Sequence, residues 1–391
     1  MALIKQITNI VNDAVKDALG TNATITDIDT TDFTSLGKQI SAYDAYEGFY
    51  KSLVNRITKT VYAVRSYEGR TRSVLRDEHE YGAFVQKVYY TLPDAVDNPA
   101  YAIPQEQTGG ALQYGQASPY DVEGTVAVTS LIFGGKGTWS IEIVRPIEQI
   151  KTAFVSPAEM GAFIDGIYIT VDNAYKVEEE RLIAMAVNTA MAQDIAVATA
   201  NNVTTARNLL SEYNTLAGTT LTVNNALTNA DFLKYASKEI NRTVDNMTVM
   251  STRFNCDGYN TFTSKDNLVV EMLSEFASAT DMYLQADTFH DELVKLPNYE
   301  KIPFWQGSGS SFKFEDCSKI NVTHADMEGG TLEQGGIICF VHDIEHVACY
   351  FGNRRTWEIF NPRSDVMVHG EKAEKGYAVD THANGVVFYL A

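Results

Sequence analysis

The chain is poor in cysteine, proline, tryptophan and positive charge. It has 391 residues, with four cysteines, nine prolines and three tryptophans. Cys256, Cys317, Cys339 and Cys349 form no C-x-x-C pair, so neither a zinc knuckle nor a dithiol redox site is written into it. Free thiols in a reducing compartment are the plain reading. Basic side chains number 31 against 50 acidic ones, a formal net charge of −19. That balance argues against a general duplex binder, which needs basic stripes to displace counterions. It argues equally against docking on anionic lipid. No uninterrupted apolar run approaches the ~18–20 residues that span a bilayer. The opening MALIKQITNIVNDAV has no basic n-region or apolar h-region, so no signal peptide is expected. What the chain does have, 45% apolar and 21% charged residues, is the composition of a folded protein. Its length allows a sizeable core, in one large domain or two ordinary ones.

Catalytic signals are equally sparse. His342-Asp343-Ile344-Glu345-His346 matches H-x-x-E-H, a zinc-hydrolase spacing. That chemistry needs a helix, which brings both imidazoles to one face beside a general-base Glu. The flanking runs, GIICFV and VACYF, are β-type, so a polar turn between two strands is the better reading. Phe133-Gly134-Gly135-Lys136-Gly137-Thr138 resembles a phosphate loop only superficially and precedes a strand, so a hairpin turn is expected. Gly307-Ser308-Gly309-Ser310-Ser311 is a flexible linker without a nucleophile elbow around it. Glu178-Glu179-Glu180 fits a solvated helix face, and Arg354-Arg355 an ion-pair site. No nucleophile, base and oxyanion hole assemble, so no enzyme, cofactor or metal is expected.

Helical spacing is clear at the start, where Leu3, Ile7, Ile10, Val11, Ala14, Val15 and Ala18 recur before Gly20. Residues 21–35 are polar and read as an extended arm. A second helix follows Asp44, with Tyr46, Phe49, Tyr50, Leu53 and Ile57 on one face. Strand candidates at 83–91, 121–133 and 138–144 surround a segment from Pro93 to Pro119 that holds four of the nine prolines. Together they make a long β-ribbon finger with a flexible tip. A lone two-stranded ribbon is marginal in water, so the finger needs something to lie on, and a neighbouring subunit is the simplest candidate.

Ser156-Pro157-Ala158-Glu159 combines an N-cap Ser, a first-turn Pro and a capping-box Glu. Apolar residues at helical spacing then run from Met160 to Met191 and predict a helix of nearly forty residues, to about Asp194. Such a helix far exceeds the ~11–12-residue mean. Residues 200–345 predict a mixed region: helices at 231–241 and 264–278, and strands at 248–254, 302–305 and 336–341. Short strands follow as HVACYF, TWEIF, DVMVHG, YAVDTH and VVFYL.

The order polar arm, β-ribbon finger, very long helix, α/β lobe and closing strands resembles the major capsid protein of tailed bacteriophages, the Hong Kong 97-type fold. Residues 52–57 (SLVNRI), the run IKTAFVS at 150–156, the acidic-rich helix continuation and the closing segment around Asn361-Pro362-Arg363 resemble the short-tailed phi-29-like phages in particular. The resemblance implies an α+β fold: an N-terminal arm (1–62), an E-loop with flanking strands (63–149), a P-domain spine helix (150–198), an α/β A-domain (199–345) and returning P-domain strands (346–391). It implies a structural protein of the virion, assembled in the host cytoplasm, that packs with itself as hexamers and pentamers. Portal and scaffolding proteins are its expected further partners; packaged DNA would be bound only weakly, and no membrane. An extra C-terminal immunoglobulin-like domain is not expected. Some members of the fold join subunits by Lys–Asn bonds; Lys87 and Lys136 are in or near the finger, but no such bond is expected. Trp139, Lys87 and Tyr114 around the finger and Trp305 in the α/β lobe are candidate contacts between subunits, since aromatic anchors dominate many interfaces; ordinary core filling is the competing reading for both tryptophans. An encapsulin-like compartment shell, a tail or baseplate protein and a zinc hydrolase at 342–346 are the alternatives.

Overall fold

A computed structural model of the chain describes residues 13–14, 16, 52, 74–77, 84–92, 128–134, 137–146, 157–201, 203–286, 299–307, 311–323 and 330–391. The first strands are β1 (Leu75–Asp77), β2 (Phe84–Tyr90), β3 (Val128–Gly134) and β4 (Gly137–Pro146), followed by helix α1 (Pro157–Asn201). Then come β5 (Ala206–Asn208), α2 (Leu209–Ala217), α3 (Val223–Ala226), α4 (Ala230–Met247), β6 (Leu268–Leu273), α5 (Ser274–Ala286) and β7 (Glu300–Ile302). The last part holds α6 (Phe314–Cys317), β8 (Ile320–Thr323), β9 (Thr331–Gln334), β10 (Ile337–Asp343), β11 (Val347–Asn361), β12 (Val366–Val379) and β13 (Gly385–Tyr389). The expected helices at 3–18 and 46–57 lie outside the described residues except for helical Asp13, Ala14, Lys16 and Ser52. The arm at 21–35, the Pro93–Pro119 segment and the Ser156 cap also lie outside them.

The chain divides into two compact units. The first comprises 1–81, 135–189 and 347–379; the second comprises 82–134, 190–346 and 380–391. Helix α1 contributes to both. Its 45 residues make it about 67 Å long at ~1.5 Å per residue. The segment Val171–Thr199 is apolar enough by composition to cross a membrane, yet 67% of its most apolar window is buried inside the fold. It is a core helix: Val171, Tyr175, Leu182, Ala186 and Val187 recur at helical spacing and are all buried.

The first unit is built on a four-stranded sheet in the order β1-β11-β12-β4. Strands β11 and β12 pair antiparallel along almost their whole length, with a bulge between Gly352 and Arg355. That bulge absorbs the Gly-Asn step that made HVACYF and TWEIF read as separate strands. Met367, His369, Glu371 and Ala373 on one face of β12 are 1–6% exposed. Strand β4 pairs with β12 in the register Val368↔Val144. The expected finger therefore needs correction, because 138–144 belongs to this sheet and not to the ribbon. No hairpin forms at 133–138: β3 and β4 lie in different sheets.

The second unit has a five-stranded mixed sheet, β5-β13-β10-β6-β7. Residues 337–341 of central β10 are fully buried. Strand β6, LVVEML, lies beside it with five of six residues buried. This corrects the helix expected at 264–278. A short run buried on both faces, Glu271 included, has no alternation to betray its period, and β-branched Val269 and Val270 tip it to a buried strand; the helix starts only at Ser274. The strand expected at 248–254 is absent apart from one bridge, Ser251 to Thr261. Helix α4 has its expected core and starts where Asn229 accepts from the Phe232 N–H at 2.9 Å. The closing strand β13 pairs with β10 in this unit, not with β11 and β12. Strands β2 and β3 form the two-stranded ribbon, Phe84↔Gly134 to Tyr90↔Val128.

Candidate functional site

The ribbon has two unlike faces, because successive side chains on a strand point opposite ways. Lys87 and Tyr89 point to one face. The Lys87 ammonium donates to Asp380 Oδ2 and to Glu345 Oε2, each at 2.6 Å. The Tyr89 hydroxyl donates to the same Asp380 oxygen. Its ring stacks on His382 at 4.7 Å and meets Tyr259 edge-on at 5.4 Å. The Tyr259 hydroxyl in turn donates to the Tyr90 carbonyl. Burial draws the Lys87 pKa down, but Asp380 and then Glu345 more than reverse this, so it stands above its ordinary value. Burial, and then Asp380, push the Tyr89 hydroxyl upward, so it remains a neutral donor. The opposite face carries Val88, Tyr90 and Leu92, which are 44%, 65% and 53% exposed, with Val128 at 59%. The base of the finger is therefore held by its own chain, and only one of its faces lacks cover.

The two imidazoles of the H-x-x-E-H stretch lie 6.2 Å apart, but its glutamate turns away from them. His342 stacks on Phe340 at 4.5 Å. His346 has Nδ1 at 2.8 Å from the Asp380 carbonyl and Nε2 at 3.3 Å from Asp194 Oδ2. Glu345 turns to Lys87 instead. A turn does join two strands here, but it is no hairpin, since β10 and β11 belong to different sheets. Among the described residues no three metal-ligating side chains converge. Asp194 also accepts from the Cys256 thiol at 3.1 Å. Burial, and then the Asp194 charge, push that thiol upward, away from the thiolate a nucleophile needs. Burial lowers the pKa of His346, but the Asp194 charge and its hydrogen-bond partners raise it further, with a net upward shift.

In the first unit Trp139 packs against Tyr175 of α1 at 5.2 Å, with the Lys375 ammonium 5.1 Å from its ring. Arg354 lies over the Tyr175 ring, 3.9 Å from its centroid, and is paired to Glu371 through Nε at 2.7 Å. An open groove of about 620 Å³ runs between Trp139, Ile141 and the Ala174–Val177 stretch of α1. Trp305 is 1% exposed and donates from Nε1 to the Ile337 carbonyl at 2.9 Å. It has no surface to offer a neighbour, so core filling is its role. Tyr114 lies outside the described residues. Asp380, His382 and Tyr259, the residues that hold the ribbon, carry no local sequence signal, being some 170 to 293 positions from their partners.

The geometry offers surfaces and clasps, and comparisons with known proteins agree in kind. No curated protein matches the chain. A chain from the capsid structure of Staphylococcus phage Andhra is similar with a TM-score of 0.50 and 10% identity, over 84% of this chain and 88% of that one. A chain from the structure of the head fiber and inner core protein gp22 of native bacteriophage P68 follows with a TM-score of 0.49 and 11% identity, over 83% and 88%. A chain from the capsid structure of the cyanophage P-SCSP1u gives 0.42 and 11%, over 84% and 93%. The first of these likenesses shows a tailed-phage capsid fold, the Hong Kong 97-type architecture. The family model of the Phi29-like phage major capsid protein matches residues 11–389. This match gives the compartment-shell, tail and hydrolase alternatives no support. With almost the whole chain inside that match, it belongs to the Phi29-like phage major capsid protein family and forms the shell of the phage head.

Proposed function

We propose that copies of the chain close into the head as pentamers and hexamers, with each ribbon laid over a neighbouring copy and the N-terminal arm (1–62) laid along an adjacent spine helix. The first unit then corresponds to the P-domain and the second to the A-domain. Portal and scaffolding proteins take part in the closure, and packaged duplex is held only weakly by a wall in which each copy carries a net charge of −19. The observation that carries this reading is the two-faced ribbon: Lys87 and Tyr89 fix one face to the chain's own body, while Val88, Tyr90 and Val128 leave the other apolar and open. A two-stranded ribbon with a bare apolar face is unstable as a free element. Repetition of one such contact around a closed shell adds many weak interfaces into a stable whole.

Negative-stain microscopy of the purified chain, alone and with the scaffolding protein of its phage, tests the proposal. Closed shells of uniform curvature are expected in at least one arm. A monodisperse monomer in both would overturn it. Shells that retained duplex DNA strongly at physiological salt would overturn the weak-binding clause.

A further inference from the structure

The two acids that hold Lys87 both hang on one buried imidazole. Glu345 precedes His346 in the chain. Asp380 is tied to His346 twice: its N–H donates to the His346 carbonyl at 2.9 Å, and its own carbonyl lies 2.8 Å from His346 Nδ1. The other ring nitrogen, Nε2, lies 3.3 Å from Asp194 Oδ2 of α1, and both side chains are 1% exposed. A carbonyl and a carboxylate only accept, and a neutral imidazole has one N–H to give. Whichever nitrogen keeps that proton, the other sets a lone pair against an acceptor. The site therefore fits one extra proton, held between His346 and Asp194. The other groups around the pair are already engaged. The Cys256 thiol donates to Asp194 Oδ1 at 3.1 Å and leaves Oδ2 to the ring. The His342 ring of β10 lies 6.2 Å away, with its Nδ1 at 2.8 Å from the Asp343 carbonyl. Asp343 accepts from the Thr263 hydroxyl at 2.7 Å, and Glu345 faces Lys87.

We propose that this proton is a latch for the ribbon: held between His346 and Asp194, it keeps Asp380 and Glu345 in place on Lys87 and Tyr89, and its loss frees the ribbon root. Once it leaves, two acceptors face each other across 3.3 Å in a site closed to solvent. Gly385 blocks a sideways escape, since even a Cβ there would stand 2.4 Å from Asp194 Oδ2 and 2.9 Å from His346 Nε2. The ring then yields on its other side, toward the Asp380 turn. The Asp380 carboxylate carries the Lys87 and Tyr89 bonds, so the displacement reaches the ribbon through a single residue. Burial alone would lower the His346 pKa, but Asp194 and then Asp380 more than reverse this and leave it raised. A raised folded value means that the latch is fully closed below the ordinary His value of about 6.5 and opens as pH rises through the folded one. The ribbon is thus held rigidly in acid and loosely at higher pH. The latch involves only the chain's own clasp, so it does not depend on what covers the other ribbon face.

Hydrogen exchange of the unassembled wild-type chain, from about pH 6 to about pH 9, tests the latch, with each rate divided by the intrinsic amide rate at that pH. Protection of peptides covering 84–92 and 128–134 should fall as pH rises, by up to about tenfold per unit above the ordinary His value. Peptides covering 337–341 should stay protected throughout. His346→Gln removes the titrating ring and should flatten the fall. His382 is the other imidazole at the ribbon, stacked on Tyr89 and 2.9 Å from Asp257; His382→Gln should keep the slope. Ribbon protection that does not change with pH in the folded wild-type chain would overturn the proposal. So would a slope that persists in His346→Gln, a slope lost in His382→Gln, or an equal loss of protection at 337–341. Should His346→Gln fail to fold, Asp194→Asn is read in its place: its amide can donate to a neutral Nε2, so the slope should again vanish. If neither folds, the wild-type and His382→Gln profiles decide. None of these outcomes bears on whether the chain forms shells.

Discussion

Replacing Lys87 by methionine keeps the aliphatic stem and removes the charge that ties the ribbon down. Two contacts of 2.6 Å are lost, to Asp380 and to Glu345. They are unequal. Side-chain exposure is 32% for Lys87 and 48% for Glu345, so that arm is a screened surface pair worth little. Asp380 is 4% exposed, and the bond to it is charge-assisted. After the substitution Asp380 still accepts from the Tyr89 hydroxyl and from the His382 N–H at 3.0 Å, so no carboxylate is stranded. The loss is then one partly screened charged hydrogen bond, about 1–2 kcal/mol. At ~1.4 kcal/mol per factor of ten, local opening of the ribbon becomes roughly five- to thirty-fold more frequent. Hydrogen exchange followed by mass spectrometry on the unassembled chain reads this directly. Peptides covering 84–92 and 128–134 should exchange faster by that factor, and those covering 337–343 of the central strand should not change. Unchanged ribbon exchange would refute the clasp. An equal rise in the central strand would refute its locality.

Arg354→Met strands Glu371, whose side chain is 7% exposed, and should cost about 3–5 kcal/mol in urea unfolding; adding Glu371→Met should recover most of that loss. His346 is raised above its unfolded value of about 6.5 by Asp194, after burial has pulled it the other way. Its contribution is therefore fully present below that unfolded value and fades as pH rises through the higher folded value. The wild-type urea midpoint should fall on going upward through that window, and His346→Gln should flatten the fall. Gly385→Ala places a methyl 2.4 Å from Asp194 Oδ2 and 2.9 Å from His346 Nε2; overpacking of this kind costs about 1–3 kcal/mol, visible as a lowered thermal midpoint. All four cysteines are buried, so the folded chain should show no fast reaction with a thiol reagent, while urea exposes the full set.

The long helix was legible because a 3.6-residue period sustained from Met160 to Met191 has no competing reading. Helix α4 was legible for the same reason, although it runs six residues past Asn241. Strand β6 was not, because burial on both faces erases the alternation that marks a strand. The fate of 138–144 was hidden for another reason. Alternation in TWSIEIV predicts a strand but not its partner, and the partner lies more than 200 residues onward in β12. The clasp at the ribbon root was likewise beyond reach: Lys87 and Asp380 are 293 positions apart, and neither sits in a motif. Trp305 illustrates the limit at single residues, since an indole anchoring an interface and one filling a core look alike in sequence; its 1% exposure decides for the core. The order of parts carried more information than any single residue, because assembly proteins mark themselves by layout and not by catalytic signatures.

A cryo-electron microscopy map of the assembled head, at a resolution that traces strands, tests the central claim most directly. The account predicts the Val88–Tyr90 face of β2 and β3 covered by an adjacent copy, while Lys87 and Tyr89 stay on Asp380 of their own chain. A map in which the Val88–Tyr90 face is covered by the same chain, or meets only solvent, would contradict it.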